Sequence, residues 1–549
     1  MENGAKLRHH GSVCAFVEMK NDGGHHRVEQ ARHKPGQVKR NQNREHVVHE
    51  AVCRLPELQV VVAQPKAEDH NPQRDGFLHL VDDNVIPFRS GAGRPAFEEA
   101  FEHGVDQPGQ ENAANEEAQG LRPFHERVAQ KHRVVPKFHG PNFAQNVLVP
   151  HAIGYLCRMN QGSSPKLPPL GPALRLGVLG GGQLGRMMVQ EAMNWDVRVE
   201  VMDPSAEASC RHLTHRFVQG DLQDAEAVVA FGQGLDVVTV EIEHVSTEGL
   251  QRLADQGVQV IPLPQHLALI QDKGLQKQAF EAWGVPSAPY VVVESLAQVD
   301  AIGFPVVQKL RKGGYDGKGV QILQSPQEAQ DRGFNAPCVL EKAVDIDKEL
   351  SVIVARNAQG ETAVYPVVEA VFNPEVNLVD HLMAPASISP ALEEAARAMA
   401  LKVVTSMQFV GLLAVELFLD REGALWVNEV APRTHNSGHH TIEGNVCSQF
   451  EQHLRAVIGL PLGDTAPLHP AAAMLNLIGE PDASGTPNYE GLVEALELPN
   501  VHAHLYGKST VKPHRKMGHI TITGPDVHSV QQSVLKLRET LKVRGSNPA

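Results

Sequence analysis

Two lysines, four glutamates and one glycine-rich stretch in this chain are of the types that handle a polyphosphate. The stretch is RKGGYDGKGV, residues 311–320, where Gly313, Gly314, Gly317 and Gly319 share ten positions with Arg311, Lys312 and Lys318. Glycine lets backbone N–H groups approach an anion closely, so the segment can close over phosphates. The same composition also makes an ordinary hairpin turn. Lys273 lies near the start of the amphipathic segment LIQDKGLQKQAF, and Lys309 ends the apolar strand FPVVQKL. An ammonium at the end of a buried strand is costly unless it meets an anion or a carboxylate, or snorkels to the surface. Glu341 and Glu349 stand at strand ends in PCVLEKAVDIDKELSVIVAR. In VGLLAVELFLDREGALWVNEVAPRTHNSGHH two strands flank the turn 420–423, Glu416 interrupting the first and Asn428–Glu429 ending the second. Antiparallel pairing would bring these oxygens together, and such hard ligands suit magnesium bridging phosphates.

Positioning these groups takes a scaffold, and from about residue 173 the pattern is α/β. LRLGVLGGG is a buried strand entering a glycine turn, and QLGRMMVQEAMNW has apolar residues three and four apart, as a helix requires. VRVEVMD, LDVVTVEIEH and VQVIPLP are further strands, and strand–helix alternation implies a parallel sheet. Gly180, Gly182 and Gly185 satisfy G-x-G-x-x-G, with Asp203 ending the next strand. That is the dinucleotide fingerprint, so a nicotinamide oxidoreductase is a rival reading. Any helix N-terminus after a strand can hold a phosphate in this way, however, and no dehydrogenase acid–base pair follows.

The 549 residues imply several domains. A formal net charge of −14 argues against nucleic acid or an anionic membrane surface as the main partner. The six cysteines lack paired spacing, as expected of reduced thiols in the cytoplasm. No apolar run is long enough to span a membrane. Residues 1–172 differ in kind: 14 of the 29 histidines fall within residues 1–170, without ligand spacing, among frequent Gln, Asn, Gly and Pro. With little periodic apolar surface, this extension is expected to be disordered, or translated from a start codon upstream of the true one.

The series Lys273, Lys309, glycine loop, Glu341, Glu349, Glu416 and Asn428–Glu429 resembles the ATP-grasp superfamily. Within it, GVLGGGQLGRM, KLRKGGYDGKGV, NEVAPRTHNSGHHT and HLYGKSTVKPHRKMGHITITG resemble the N5-carboxyaminoimidazole ribonucleotide synthase family over residues 175 to about 545. The resemblance implies a Rossmann-like pre-ATP-grasp domain at 173–268, an ATP-grasp domain at 269–465 with a lid at about 300–365, and a small β-rich C-terminal domain at 466–549. It further implies ATP-dependent carboxylation of 5-aminoimidazole ribonucleotide by bicarbonate in purine biosynthesis, with magnesium, as a cytoplasmic homodimer.

Carried over by residue, Lys273 and Lys309 would contact ATP phosphates beneath a lid of Gly313, Gly314, Tyr315, Asp316, Gly317, Lys318 and Gly319. Glu341, Lys342, Ala343 and Val344 would run along the adenine edge, acting largely through backbone groups, and Glu349 would bind the ribose hydroxyls. Glu416 and Glu429, beside Asn428, would hold magnesium. Arg433, Thr434, His435, Asn436, Ser437, Gly438 and His439 would line the bicarbonate side, with Arg433, His435 and Asp316 as the catalytic candidates. Lys508, Arg515 and Lys516, with the Gly180–Gly185 loop including Gly182, Gln183 and Leu184, would take the acceptor's 5′-phosphate, and Tyr315 would also touch that substrate. Another ATP-grasp ligase would keep the nucleotide residues but not GGGQLGRM or HRKMGHI, and a non-catalytic binding module would be expected to lose Glu416 or Glu429. Residues 367–386 depart from the family's His-containing pattern, and no role is assigned there.

Overall fold

Alternating strand and helix signals predict a parallel sheet at the start of the ordered chain, and five strands form it. The computed structural model describes residues 20–21, 24–25, 167–314, 319–373 and 378–546. The chain divides into two units, residues 1–136 and 137–549. In the first, Lys20–Asn21 pairs antiparallel with Gly24–His25. Apart from those four residues, the extension expected over residues 1–172 lies outside the described residues up to position 166.

In the second unit β1 (Arg175–Leu179) leads through a glycine turn into α1 (Gln183–Met193). With β2 (Arg198–Asp203), β3 (Arg216–Gln219), β4 (Val237–Val240) and β5 (Gln259–Val260), β1 makes a parallel sheet in the order β3-β2-β1-β4-β5, with α2 (Ala225–Gly232) and α3 (Thr247–Asp255) between strands and α4 (Pro264–Gln271) after β5. All four β4 residues are buried, as expected of a parallel strand covered on both faces. The predicted strand VQVIPLP shrinks to two residues, because Pro262 and Pro264 cannot donate to a ladder. Leu167 packs against the core around Leu176, Val178 and Met188. A chain beginning near residue 165 should therefore keep full activity and melt within about 2 °C of the full chain, whereas a start at 173 removes that packing and should melt lower. Scanning calorimetry of the two truncations checks this; a clear loss in the longer one would show that the extension packs on the enzyme.

Lys309 and the four glutamates singled out above fall on two further sheets. β6 (Tyr290–Val293), β7 (Val306–Leu310), β8 (Val320–Leu323) and β9 (Cys338–Lys342) form an antiparallel sheet in the order β8-β7-β9-β6. The stretch 311–320 is the connection between antiparallel β7 and β8, with Lys309 paired to Val320. It is thus a hairpin loop in form, and Tyr315, Asp316, Gly317 and Lys318 within it lie outside the described residues.

The larger sheet has β10 (Ile346–Arg356), β11 (Thr362–Val364), β12 (Val368–Asn373), β13 (Leu378–Ala384), β14 (Gly411–Asp420) and β15 (Leu425–Ala431) from the middle of the chain. It continues into β16 (Ala471–Ile478), β18 (Val501–Leu505) and β19 (Lys516–Gly524), where β13 pairs with β16. One sheet therefore runs across the boundary expected at residue 465, and the C-terminal segment extends the sheet of the middle segment. A separate pair, β17 (Thr486–Glu490) and β20 (Lys542–Ser546), closes the chain. No helix among the described residues is long and apolar enough to cross a membrane.

Candidate active site

Helix α5 (Lys273–Ala282) begins at an Asp272 cap that accepts from the N–H groups of Gly274 and Leu275. Arg311, at the start of the glycine hairpin, makes a 2.7 Å ion pair to the same Asp272, and the Lys273 N–H donates to the Arg311 carbonyl. The first turn of α5 is thereby fastened to the end of β7, and Lys273 and Lys309 reach into one cleft.

The floor of that cleft is the β14–β15 pair. Glu416 stands directly opposite Glu429, and the next pairing joins Leu417 to Val427, so Asn428 is an extra, bulged residue. A bulge lets neighbouring side chains escape strict alternation. Asn428 accepts from Lys309 Nζ at 2.8 Å, and Glu429 is ion-paired with Lys273. Lys309 also lies 3.0 Å from Glu341, whose other oxygen is 3.1 Å from Lys277.

Electrostatics divide the two facing carboxylates. Burial pushes Glu416 up, and repulsion from Glu429 and Glu349 adds to it. Burial also works to raise Glu429, but the Lys273 and Lys309 ammoniums hold it well below the usual carboxylate range. Burial lifts Glu349 to about 7 against the pull of Lys309. Facing carboxylates, one of them held towards its neutral form, are what a divalent cation would relieve. Among the described residues no three His, Cys, Asp or Glu side chains form a closed cage.

The segment after β15 builds the opposite wall. Arg433 makes a 2.6 Å ion pair with Glu243, just beyond β4. His435 accepts from the Ser437 N–H at Nδ1, which leaves its proton on Nε2, 3.3 Å from Glu416. Burial, with Arg433 and Lys516 nearby, lowers His435 to about 4, so it is neutral. Both ring nitrogens of His435, expected on the bicarbonate side, are engaged within the protein, Nδ1 by Ser437 and Nε2 by Glu416. Ser437 is buried against Ser351 Oγ at 2.8 Å. Neither side-chain polar atom of Asn436 has a hydrogen-bond partner.

The glycine turn packs around a buried carboxylate. Gly180 has φ +103°, and a Cβ there would sit 2.6 Å from a Glu241 oxygen. A Cβ on Gly182 would meet the other oxygen at 2.6 Å, and the Gly185 N–H points at Glu241 from 3.4 Å. The buried Glu241 carboxylate thus lies against the turn expected to take the acceptor's 5′-phosphate. Burial raises Glu241. Asp203, the acid of the dinucleotide fingerprint, accepts from the N–H groups of Gly181 and Ser205. Its oxygens are committed to the turn, which removes the ribose contact that a dehydrogenase needs.

The basic loop lies close by: a Cβ on Gly507 would meet Arg186 of α1 at 3.0 Å. Lys508 donates to the Lys516 carbonyl at 2.6 Å, and Arg515 donates to the Thr510 carbonyl at 2.7 Å. Lys342 is exposed, whereas Ala343 and Val344 are half-buried beside the end of β9. Sequence reasoning missed Glu241, Glu243 and Lys277. The first two carried a signal, being carboxylates at the carboxyl end of a buried parallel strand, where ligands of such sheets bind.

Behind this wall His439, His519 and His504 stack, with ring centroids 4.6 and 4.5 Å apart. His504 meets Glu443 at 2.7 Å, and Tyr506 meets His519 Nδ1 at 3.0 Å. Burial holds His439 and His519 well below the usual imidazole value, with neighbouring imidazoles adding to it for both and Lys516 for His439. The unfolded chain then binds more protons below about pH 6.5, so stability is full above that value and is lost as pH falls. Between pH 7.5 and 5.5 the melting temperature should drop, each buried imidazole costing up to ~1.4 kcal/mol per pH unit. His519→Gln should flatten the slope in a melting series; an unchanged slope would contradict a neutral His519. Glu349 and Glu416, raised on folding, act in the opposite sense above about pH 4.5, so the comparison with the variant isolates the histidines.

The chain matches three family models: a ribonucleotide synthetase preATP-grasp domain at residues 174–271, an ATP-grasp domain at 278–450, and a phosphoribosylaminoimidazole carboxylase C-terminal domain at 472–533. It is 36% identical over 385 residues to N5-carboxyaminoimidazole ribonucleotide synthase of Staphylococcus aureus strain COL, covering 68% of this chain and 97% of that one. It is 38% identical over 373 residues to the chloroplastic phosphoribosylaminoimidazole carboxylase of Vigna aconitifolia, and spans 66% of that longer relative. Among solved structures it resembles N5-carboxyaminoimidazole ribonucleotide synthetase of Thermotoga maritima, at 40% identity and TM-score 0.63, over 68% of this chain and 100% of that one. It also resembles the Aspergillus clavatus synthase in complex with ADP and 5-aminoimidazole ribonucleotide, at 33% identity and TM-score 0.60, over 67% of this chain and 98% of that one.

Proposed function

Because the chain belongs to the N5-carboxyaminoimidazole ribonucleotide synthase family of ATP-grasp ligases, we propose that this cleft carboxylates 5-aminoimidazole ribonucleotide with bicarbonate at the expense of ATP. The observation that carries the proposal is the convergence of Lys273, Lys309, Glu416 and Glu429 in one cleft.

A bicarbonate oxygen attacks the γ-phosphorus and ADP leaves, giving carboxyphosphate. The exocyclic amine then attacks the carboxyl carbon, phosphate leaves, and the amine gives up a proton. Phosphoryl transfer needs charge neutralisation and alignment more than a strong base. Lys273 and Lys309 supply fixed positive charge at the phosphates, and Glu349 faces the ribose hydroxyls. Magnesium between Glu416 and Glu429 would neutralise charge on the transferred phosphoryl group. Arg433, fixed by Glu243, offers guanidinium N–H groups to bicarbonate and to carboxyphosphate. Asp316 and Tyr315 would meet the acceptor from the hairpin, whose closure keeps water from the labile intermediate.

Lys508, Arg515 and Lys516, together with the Gly180–Gly185 loop, would take the 5′-phosphate of the acceptor. Cytoplasmic residence and a homodimer rest on the family resemblance; the Vigna relative is named as chloroplastic. The test is ADP release by the purified chain with bicarbonate: a rise of at least about tenfold on adding 5-aminoimidazole ribonucleotide supports the proposal, and no dependence on it refutes the acceptor.

A further inference from the structure

Lys277 has no place in the chemistry described so far, yet it is among the most buried charges of the molecule. It lies one helical turn after Lys273, so α5 points both lysines at the same cleft. The side chains of Lys277 and Glu341 are each 3% exposed, and that of Lys309 is 8% exposed. Glu341 is shared: one oxygen is 3.1 Å from Lys277, the other 3.0 Å from Lys309. The hydrogen bond of Lys309 goes to Asn428, a neutral acceptor.

We propose that Lys277 is a positioning residue, the counter-ion that keeps Glu341 from neutralising Lys309. Two buried ammoniums share one carboxylate, so the triad carries a net positive charge, which faces Glu429 in the cleft. Burying such a charge is costly unless an anion arrives to meet it. Lys277 satisfies half of Glu341, and the charge of Lys309 is left for the phosphates of the nucleotide. Without Lys277, Glu341 and Lys309 would close into a neutral pair with its hydrogen-bonding capacity turned inwards. The inference rests on the nucleotide site proposed above and adds the residue that sets its charge.

The test is the affinity of a non-hydrolysable ATP analogue, measured by titration calorimetry on the full chain. Lys277→Met should weaken binding about tenfold. The double variant Lys277→Met with Glu341→Gln removes the captor as well as the counter-ion, and should recover affinity to within about threefold of the parent. A purely structural lysine would not show that recovery. Unchanged binding in the single variant, or a double variant as weak as the single, overturns the proposal. Should the single variant fail to fold, the double decides alone: near-parental binding supports the role, and tenfold weaker binding overturns it. A parent that binds no analogue would instead bring down the nucleotide site itself.

Discussion

Glu429→Gln is expected to cut ribonucleotide-dependent ADP release by at least about a hundredfold, from lost stabilisation of transition-state charge, with the fold intact. Glu429 is the ionised member of the facing pair, held so by Lys273 and Lys309, while Glu416 opposite it is pushed towards its neutral form. Glutamine keeps the size and the strand register but removes the charge that a cation and Lys273 both need. Because the side chain is 39% exposed, unfolding is not the expected cost, and the melting temperature should move little. The loss should be partly relieved by raising magnesium. Near-normal turnover at low magnesium would remove Glu429 from the metal site.

Arg515→Ala is expected to raise the KM for 5-aminoimidazole ribonucleotide about ten- to a hundredfold, while the KM for ATP changes little. Its Nη1 is fixed on the Thr510 carbonyl, which orients the guanidinium and leaves other N–H donors for a phosphate. A charge-assisted contact of this kind is worth about 1.5–3 kcal/mol. Lys508 and Lys516 are linked to each other through a backbone carbonyl, so the loop presents several cations on one frame. Arg515→Lys, which keeps charge but loses the fork, should fall between parent and alanine. A rise in the ATP constant instead would place the loop on the wrong side of the cleft.

What the sequence showed of this site, and what it hid, follows from which signals are local. Lys309 before a glycine run and Glu416 inside an apolar strand are anomalies visible in a few residues, and both lie in the cleft. The α/β order from residue 175 was equally legible, because buried strands and amphipathic helices have different periods. Asn428 and Glu429 were expected to share the site, but strict alternation would have sent them to opposite faces. The bulge opposite Leu417 is a tertiary event that no two-residue pattern announces. The Glu241 carboxylate escaped notice because VVTVEIEH reads as one continuous strand, whereas β4 stops at Val240 and the chain then turns inwards over the glycines. Lys277 stood four residues after Lys273, but its burial against Glu341 depends on β9 arriving from 64 residues away.

The carboxyphosphate route is tested most directly by the fate of bicarbonate oxygen. With oxygen-18 bicarbonate, ATP and 5-aminoimidazole ribonucleotide, the inorganic phosphate released should carry one labelled oxygen, because the bridging oxygen of carboxyphosphate leaves with phosphorus. Its appearance should depend on the ribonucleotide and should fall with Glu429→Gln. Unlabelled phosphate released at the full rate would contradict attack of bicarbonate on ATP and, with it, the role assigned to this cleft.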